Sequence, residues 1–147
     1  MISIISNNDE IYKKSIHFKL RKNNIEKCDW IKNNISQDIN LPITKQQNFL
    51  AFDEDKLVGG AIGYIEYNWY FLDLMYVDEF YRSQYVGTSL IKKIEEFATN
   101  NKLTGVRVET WDFQARGFYE KNGYKVFAQI ENCPPGTIDY FLKKEFV

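Results

Sequence analysis

The stretch WYFLDLMYV, residues 69–77, constrains the fold of this chain more than any other segment. It is a nearly continuous apolar run, as expected of a strand covered on both faces. A helical stripe follows at 86–98, with Val86, Leu90, Ile94 and Phe97 or Ala98 on one face. Lys92, Lys93, Glu95 and Glu96 lie on the other. VRVETW, residues 106–111, is then a second strand. A strand, a helix and a strand in succession need a crossover, so 69–77 and 106–111 are expected to pair in parallel.

The flanking segments extend this unit. FLAFDEDKLVGGAIGYIEY reads as two antiparallel strands joined by the polar turn Asp53-Glu54-Asp55-Lys56. DFQARGFYEKN, 112–122, reads as a short helix capped by Asp112 and ended by Asn122-Gly123. YKVFAQI and TIDYFLKKEF are two closing strands separated by the turn ENCPPG. Residues 8–48 are polar and rich in Asn and Lys. Ile25, Cys28, Trp30, Ile31 and Ile35 give them only a partial helical stripe, so this region is expected to be irregular. The order β-β-β-α-β-α-β-β predicts a mixed sheet with helices on both faces, an α/β (α+β) class of fold. At 147 residues, with no repeat or linker, 1–147 is expected to be a single domain.

Charge and cysteine content narrow the function. Nineteen basic against twenty acidic residues leave a net charge of −1, so no nucleic acid and no membrane surface is expected as a partner. Cys28 and Cys133 fit no metal spacing and make a poor disulfide framework, so free thiols in a reducing cytosol are expected. The N-terminus has no signal-peptide pattern, and no apolar run has the length of a membrane span. These features together predict a cytoplasmic protein without a metal site.

YRSQYVGTSL, residues 81–90, carries the first chemical signal. The N–H groups of a helix's first turn lack internal partners, and the helix dipole adds positive character. With Gly87 allowing close approach, Thr88 and Ser89 offering hydroxyls and Arg82 a cation, the junction suits a pyrophosphate. An ordinary strand-to-helix turn fits the same residues. Two carboxylates, Asp73 in FLDLMYV and Glu109 in RVETW, interrupt or end apolar strands. Burial there would raise their pKa towards that of a general base, or each is paired structurally, for example with Arg107. Glu66 is a third acid of this kind. His17, the single histidine, reads as a satisfied surface or core residue.

Two motifs in this order and separation resemble the GNAT superfamily of N-acetyltransferases. Arg82-Ser83-Gln84-Tyr85-Val86-Gly87, followed by Thr88, is similar to the superfamily's phosphate loop Q/R-x-x-G-x-G/A, with Tyr85 in place of its first glycine. Ala115, Tyr119, Gly123 and Tyr124 match its A-x-x-x-Y-x-x-x-G-F/Y signature. The resemblance covers roughly residues 48–147 and implies acetyl-CoA as cosubstrate and an N-acetyltransferase activity by direct attack. It implies that acetyl-CoA lies where the two parallel strands splay apart. The backbone of Leu74, Met75, Tyr76 and Val77 would then bind the pantetheine, and residues 82–89, Ser89 included, its pyrophosphate. An N–H freed by a bulge in 74–77 would polarise the thioester carbonyl. A buried strand with no other duty is the alternative for these four residues. The resemblance gives Tyr119 the role of protonating the departing thiolate; packing its ring in the core is the other reading. Gln114, Phe118 and Lys121 would flank the cofactor from the same helix. Phe118 also reads as structural, and the two polar residues as a solvated face.

The partner expected is a small-molecule or peptide amine, with a homodimer as one arrangement open to the chain. In the superfamily the acceptor pocket is built by the N-terminal helices and last strands. Here those would supply Trp30, Tyr67, Trp69, Trp111, Tyr140 and Phe141, with Asp53, Glu54, Asp55 and Asp139 nearby. Such a mouth favours a cationic amine, and core packing of the aromatics is the alternative. A non-catalytic acyl-CoA-binding domain of the same fold is the rival function.

Overall fold

A computed structural model describes residues 1–146. The chain divides into two compact units, Met1–Ile43 and Thr44–Val147. The first holds two helices, α1 (Glu10–Lys27) and α2 (Asp29–Asn34), where the sequence suggests irregular structure. Asp9 caps α1 by accepting a hydrogen bond from the Ile11 N–H at 3.0 Å, and Glu10 and Lys27 sit at the ends that favour their charges. Ile11, Tyr12, Ile16, Phe18 and Leu20 are all exposed and spread over more than one face of α1, so no clean apolar stripe marks it. His17 is exposed on the same helix.

The second unit is a seven-stranded mixed sheet. Its strands are β1 (Lys45–Gln46), β2 (Phe49–Asp53), β3 (Lys56–Glu66), β4 (Trp69–Val77), β5 (Gly105–Trp111), β6 (Lys125–Glu131) and β7 (Ile138–Glu145). The order is β1-β3-β4-β5-β7-β6, with β2 also on β3. β2 and β3 form the expected hairpin, closing at Asp53 opposite Lys56. Only β4 and β5 pair in parallel, joined through a short 3₁₀ helix (Glu79–Gln84) and α3 (Val86–Asn100).

The core lies against one face of the sheet. Leu90, Ile91, Ile94 and Ala98 of α3 are buried. With Tyr70 and Leu72 of β4, Val106 and Val108 of β5, Tyr140 and Leu142 of β7 and Tyr119 and Tyr124, most of them form one cluster. Thr110 continues this face of β5, whereas Arg107, Glu109 and Trp111 alternate to the other.

Two local expectations are corrected. β4 is not covered on both faces along its length: Leu74 and Tyr76 are each 62% exposed. The cause is a bulge. Ile62 pairs with Leu74 and Gly63 with Leu72, so Asp73 is an extra residue, and Met75 and Val77 turn to the side that Leu72 occupies. The helix expected over 112–122 is shorter: α4 spans Arg116–Lys121 without a side-chain cap. Asp112 instead joins β5 to β7, its N–H donating to Ile138 O at 3.0 Å and its Oδ2 accepting from the Ile138 N–H at 3.3 Å. Among the described residues no helix is long and apolar enough to cross a membrane. Cys28 and Cys133 are free and exposed.

Candidate functional site

The parallel ladder between β4 and β5 stops early. It runs from Trp69–Gly105 to Leu72–Val108, although β4 continues to Val77 and β5 to Trp111. The bulge at Asp73 falls at the point where pairing ends. Beyond it, the main-chain groups of β4 that would face β5 have no ladder partner. A cleft of about 1140 Å³ occupies the gap, large enough for an extended cofactor arm with part of a second substrate.

Its floor and one end come from β4 and the start of α3. Asp73, Leu74, Met75, Tyr76 and Val77 line it, followed by Arg82, Ser83, Tyr85, Gly87 and Thr88. The first helical hydrogen bond of α3 runs from the Ser89 N–H to Tyr85 O at 2.9 Å, so the N–H groups of Val86, Gly87 and Thr88 precede the helix ladder. Tyr85 stands in the left-handed region, φ 61° and ψ 18°, where a glycine is ordinarily placed. Its side chain is solvent-exposed. A Cβ on Gly87 would lie 3.3 Å from Cζ of Phe118 and 3.9 Å from Cε of Met75. The absent side chain therefore keeps this end of the cleft open. Free N–H groups, a helix N-terminus and an open glycine suit a phosphate-bearing ligand, and the splayed strand suits an amide-bearing arm.

Arg82 lines the cleft and also braces it. Its Nε donates to Val77 O at 2.9 Å, and its guanidinium lies 5.4 Å from the Tyr76 ring centre. It ties the end of β4 to the loop that starts α3, and so holds the cleft's entrance in shape. Gln84, Val86, Ser89 and Lys121 do not line the cleft; Gln84 donates to Phe80 O at 3.2 Å. Gln114 does line it, from the turn before α4 and not from the helix. Its Oε1 accepts from the Trp111 N–H at 2.9 Å and from the Thr110 hydroxyl at 3.2 Å.

Tyr119 closes the cleft from α4. The residue is 5% exposed, and its ring meets Phe118 and Tyr124 edge-on at 5.3 and 5.9 Å. Its hydroxyl has no hydrogen-bond partner among the described residues. Burial pushes its pKa up to about 12, so the hydroxyl stays protonated at neutral pH. A neutral O–H beside a cleft, with no internal acceptor, is a proton donor awaiting an acceptor.

At the other end the walls carry carboxylates. Asp73, Glu109 and Asp139 all line the cleft. Glu109 is held above the usual carboxylate range, first by partial burial, then by the charge of Asp139; Arg107 opposes this and Asp73 adds to it. Asp139 is raised by burial. Arg107 is not the structural partner of either Asp73 or Glu109: its guanidinium stacks 4.6 Å from the Phe71 ring centre. Sequence reasoning placed Asp139 only near the site, whereas it lies in its wall; an acid inside the run TIDYFL was the available signal. Thr110, Trp111 and Phe113 also line the cleft, the last two stacked at 5.5 Å. Asp53, Glu54, Asp55, Tyr67, Trp69, Tyr140 and Phe141 do not. Asp53 accepts from the Tyr81 hydroxyl at 2.7 Å, and Tyr140 packs in the core. Among the described residues no group of His, Cys, Asp and Glu is arranged to hold a metal ion.

Comparison with known proteins agrees with this geometry. Residues 14–124 match the acetyltransferase (GNAT) family. Blasticidin-S acetyltransferase of Streptomyces morookaense is 36% identical over 105 residues, covering 71% of this chain and 77% of that protein. The crystal structure of an acetyltransferase from Bacillus cereus superposes with a TM-score of 0.79 at 25% identity, covering 98% of both chains. That of the PaiA N-acetyltransferase from Thermoplasma acidophilum, in complex with coenzyme A, gives 0.61 at 22% identity, over 80% of this chain and 76% of that one.

Proposed function

Because the chain belongs to the GNAT acetyltransferase family, we propose that it transfers the acetyl group of acetyl-CoA to a primary amine of a small molecule. The carrying observation is the splay of β4 from β5 beyond Leu72–Val108, with the cleft it opens running to the first turn of α3. In this reading acetyl-CoA supplies the activated acyl group as a thioester. The main chain of 73–77 holds its amide arm and the N–H groups of Gly87 and Thr88 its pyrophosphate. A β4 N–H freed by the bulge stabilises the charge that develops on the thioester oxygen. Tyr119 gives its proton to the departing sulfur. Glu109, with Asp73 also in the cleft wall, meets the amine and accepts the proton it must lose. The family match crosses from the first compact unit into the second, which supports 1–147 acting as one catalytic domain.

The carboxylates favour a cationic acceptor over a neutral or acidic one. The similarity to blasticidin-S acetyltransferase supports an antibiotic-like small molecule over a peptide N-terminus. Thiol release from acetyl-CoA, measured against blasticidin S, streptothricin, aminoglycosides, polyamines and short peptides, tests the proposal. A cationic small molecule should give stoichiometric thiol and acetylated product. If CoA raises the melting temperature but no amine releases thiol, the chain is an acyl-CoA-binding domain without turnover.

A further inference from the structure

Asp139 is the one carboxylate of the cleft that the chemistry above leaves without a role. It lies within the sheet, opposite Trp111 of β5 on one side and Ile130 of β6 on the other. The residue is 8% exposed and its side chain lines the cleft. No described N–H, O–H or cation gives it a hydrogen bond. The carboxylate is open to the cleft and is not among the buried polar atoms left without a partner, so it presents a free anionic acceptor there.

Its surroundings explain why no internal cation neutralises it. On β5, Glu109 is its diagonal neighbour and Arg107 is turned onto Phe71. On β7 itself Lys143 is bound to Glu145 at 2.7 Å, and from α4 Arg116 is bound to Glu120. β6 offers Ile130 opposite, and β4 contributes another anion, Asp73. Glu109 and Asp139 share one sheet face at diagonal positions, within reach of each other's charge. The charge of Asp139, after partial burial, helps hold the Glu109 pKa up, so Glu109 takes a proton more readily with Asp139 beside it than alone.

We propose that Asp139 is a further catalytic residue, which with Glu109 receives the acceptor's ammonium group and takes its proton, and that the acceptor carries a second cationic group. The second cation follows from charge. Three carboxylates line the cleft and one ammonium group can answer only part of that charge, while the nearby basic side chains Arg107, Arg116 and Lys143 are engaged elsewhere. The step balances. The ammonium gives one proton to the pair, and the freed nitrogen lone pair forms the C–N bond as the C–S bond breaks. The departing sulfur takes the Tyr119 proton, and the proton that nitrogen sheds on becoming an amide restores Tyr119. The pair returns its proton to water.

This inference rests on the acetyl-transfer reading and narrows it, so its test separates the two. Binding of 1,5-diaminopentane and of pentylamine to the protein saturated with CoA is measured by calorimetry for the wild type, Asp139→Asn, Asp139→Ser and Glu109→Gln. The wild type should prefer the diamine by at least about tenfold, and both Asp139 variants should lose that preference while keeping CoA affinity. The acid limb of the kcat/KM profile should move to lower pH in Asp139→Asn, because Glu109 loses the neighbouring charge that helps hold its pKa up. A residue kept only for packing would lower the melting temperature and leave the preference and the limb in place. Unchanged diamine preference in both Asp139 variants overturns the inference whatever the turnover. A wild type that binds the diamine through Asp139 but releases no thiol overturns the acetyl-transfer reading instead.

Discussion

At the start of α3 the cleft is made of main-chain groups, whereas between β5 and β7 it is made of carboxylates. The first end needs conformations more than side chains. It requires a bulge at Asp73, a left-handed residue at 85, an open position at 87 and the free amides of a helix's first turn. The second end needs titratable groups whose pKa burial raises, Glu109 and Asp139, with the exposed Asp73 of β4 also in the cleft wall. An end built from backbone binds any ligand that presents phosphate and amide groups, so it is suited to a cosubstrate shared across a family. An end built from a few side chains is free to differ from relative to relative, which on the proposed reading suits it to choosing the acceptor. Substitutions at the two ends should therefore fail in different ways.

The largest effect is expected from filling Gly87. Its Cβ would already sit 3.3 Å from Phe118, so Gly87→Trp drives an indole into the entrance. The melting-temperature rise with CoA should vanish and acetyl transfer fall to background, with circular dichroism unchanged. A retained CoA shift would show that the phosphates bind elsewhere. Tyr119→Phe comes next. It keeps the ring and its edge-on contacts, so CoA affinity and stability should hold while kcat falls by about 10²-fold. With its pKa pushed up to about 12, Tyr119 should lose its proton-donating role only at strongly alkaline pH. Wild-type kcat in the variant would remove Tyr119 from the chemistry.

What the sequence disclosed follows the same division. The crossover unit, the hairpin and the motif carrying Ala115, Tyr119 and Gly123 were readable because each rests on periodicity or on fixed spacing. Gly123 does take a left-handed conformation, φ 89°, just past the end of α4. The bulge was placed over 74–77 and falls at Asp73, since nothing in an apolar run marks which residue goes unpaired. α1 was hidden because its apolar residues form no stripe. The bracing bond from Arg82 to Val77 O, five residues back, was not legible, because its place in the loop says nothing of that carbonyl. Asp139 could be read only as near the site, because only the register of β7 against β5 sets it diagonal to Glu109.

A smaller effect is expected at the carboxylate end. Glu109→Gln should lower kcat/KM by roughly 10- to 100-fold and leave the CoA-induced shift intact. Its stability signature has a definite sign. Folding raises the Glu109 pKa, so the folded state binds the proton more tightly and the carboxylate destabilises the fold once pH exceeds that raised value. Glu109→Gln should therefore match or exceed the wild-type melting temperature at neutral pH. The advantage should fade as pH drops below the ordinary glutamate range. A variant that is less stable at neutral pH would indicate a structural partner for Glu109. The smallest effect belongs to Tyr85→Gly. Relief of the left-handed strain, about 1 kcal/mol, is offset by the added freedom of glycine in the unfolded chain. CoA affinity should change by no more than about threefold, because the contacts are main-chain amides. A larger loss would make the Tyr85 side chain part of the site.

Amide hydrogen exchange with and without CoA tests the division of the cleft most directly, since it reads the main chain residue by residue. The account predicts that CoA slows exchange at those β4 amides of 73–77 that do not bond to β3 and at Gly87 and Thr88. It leaves the amides around Asp139 on β7, which the sheet ladder already protects, unchanged. Protection absent both from those β4 amides and from Gly87 and Thr88, with CoA still raising the melting temperature, would contradict it.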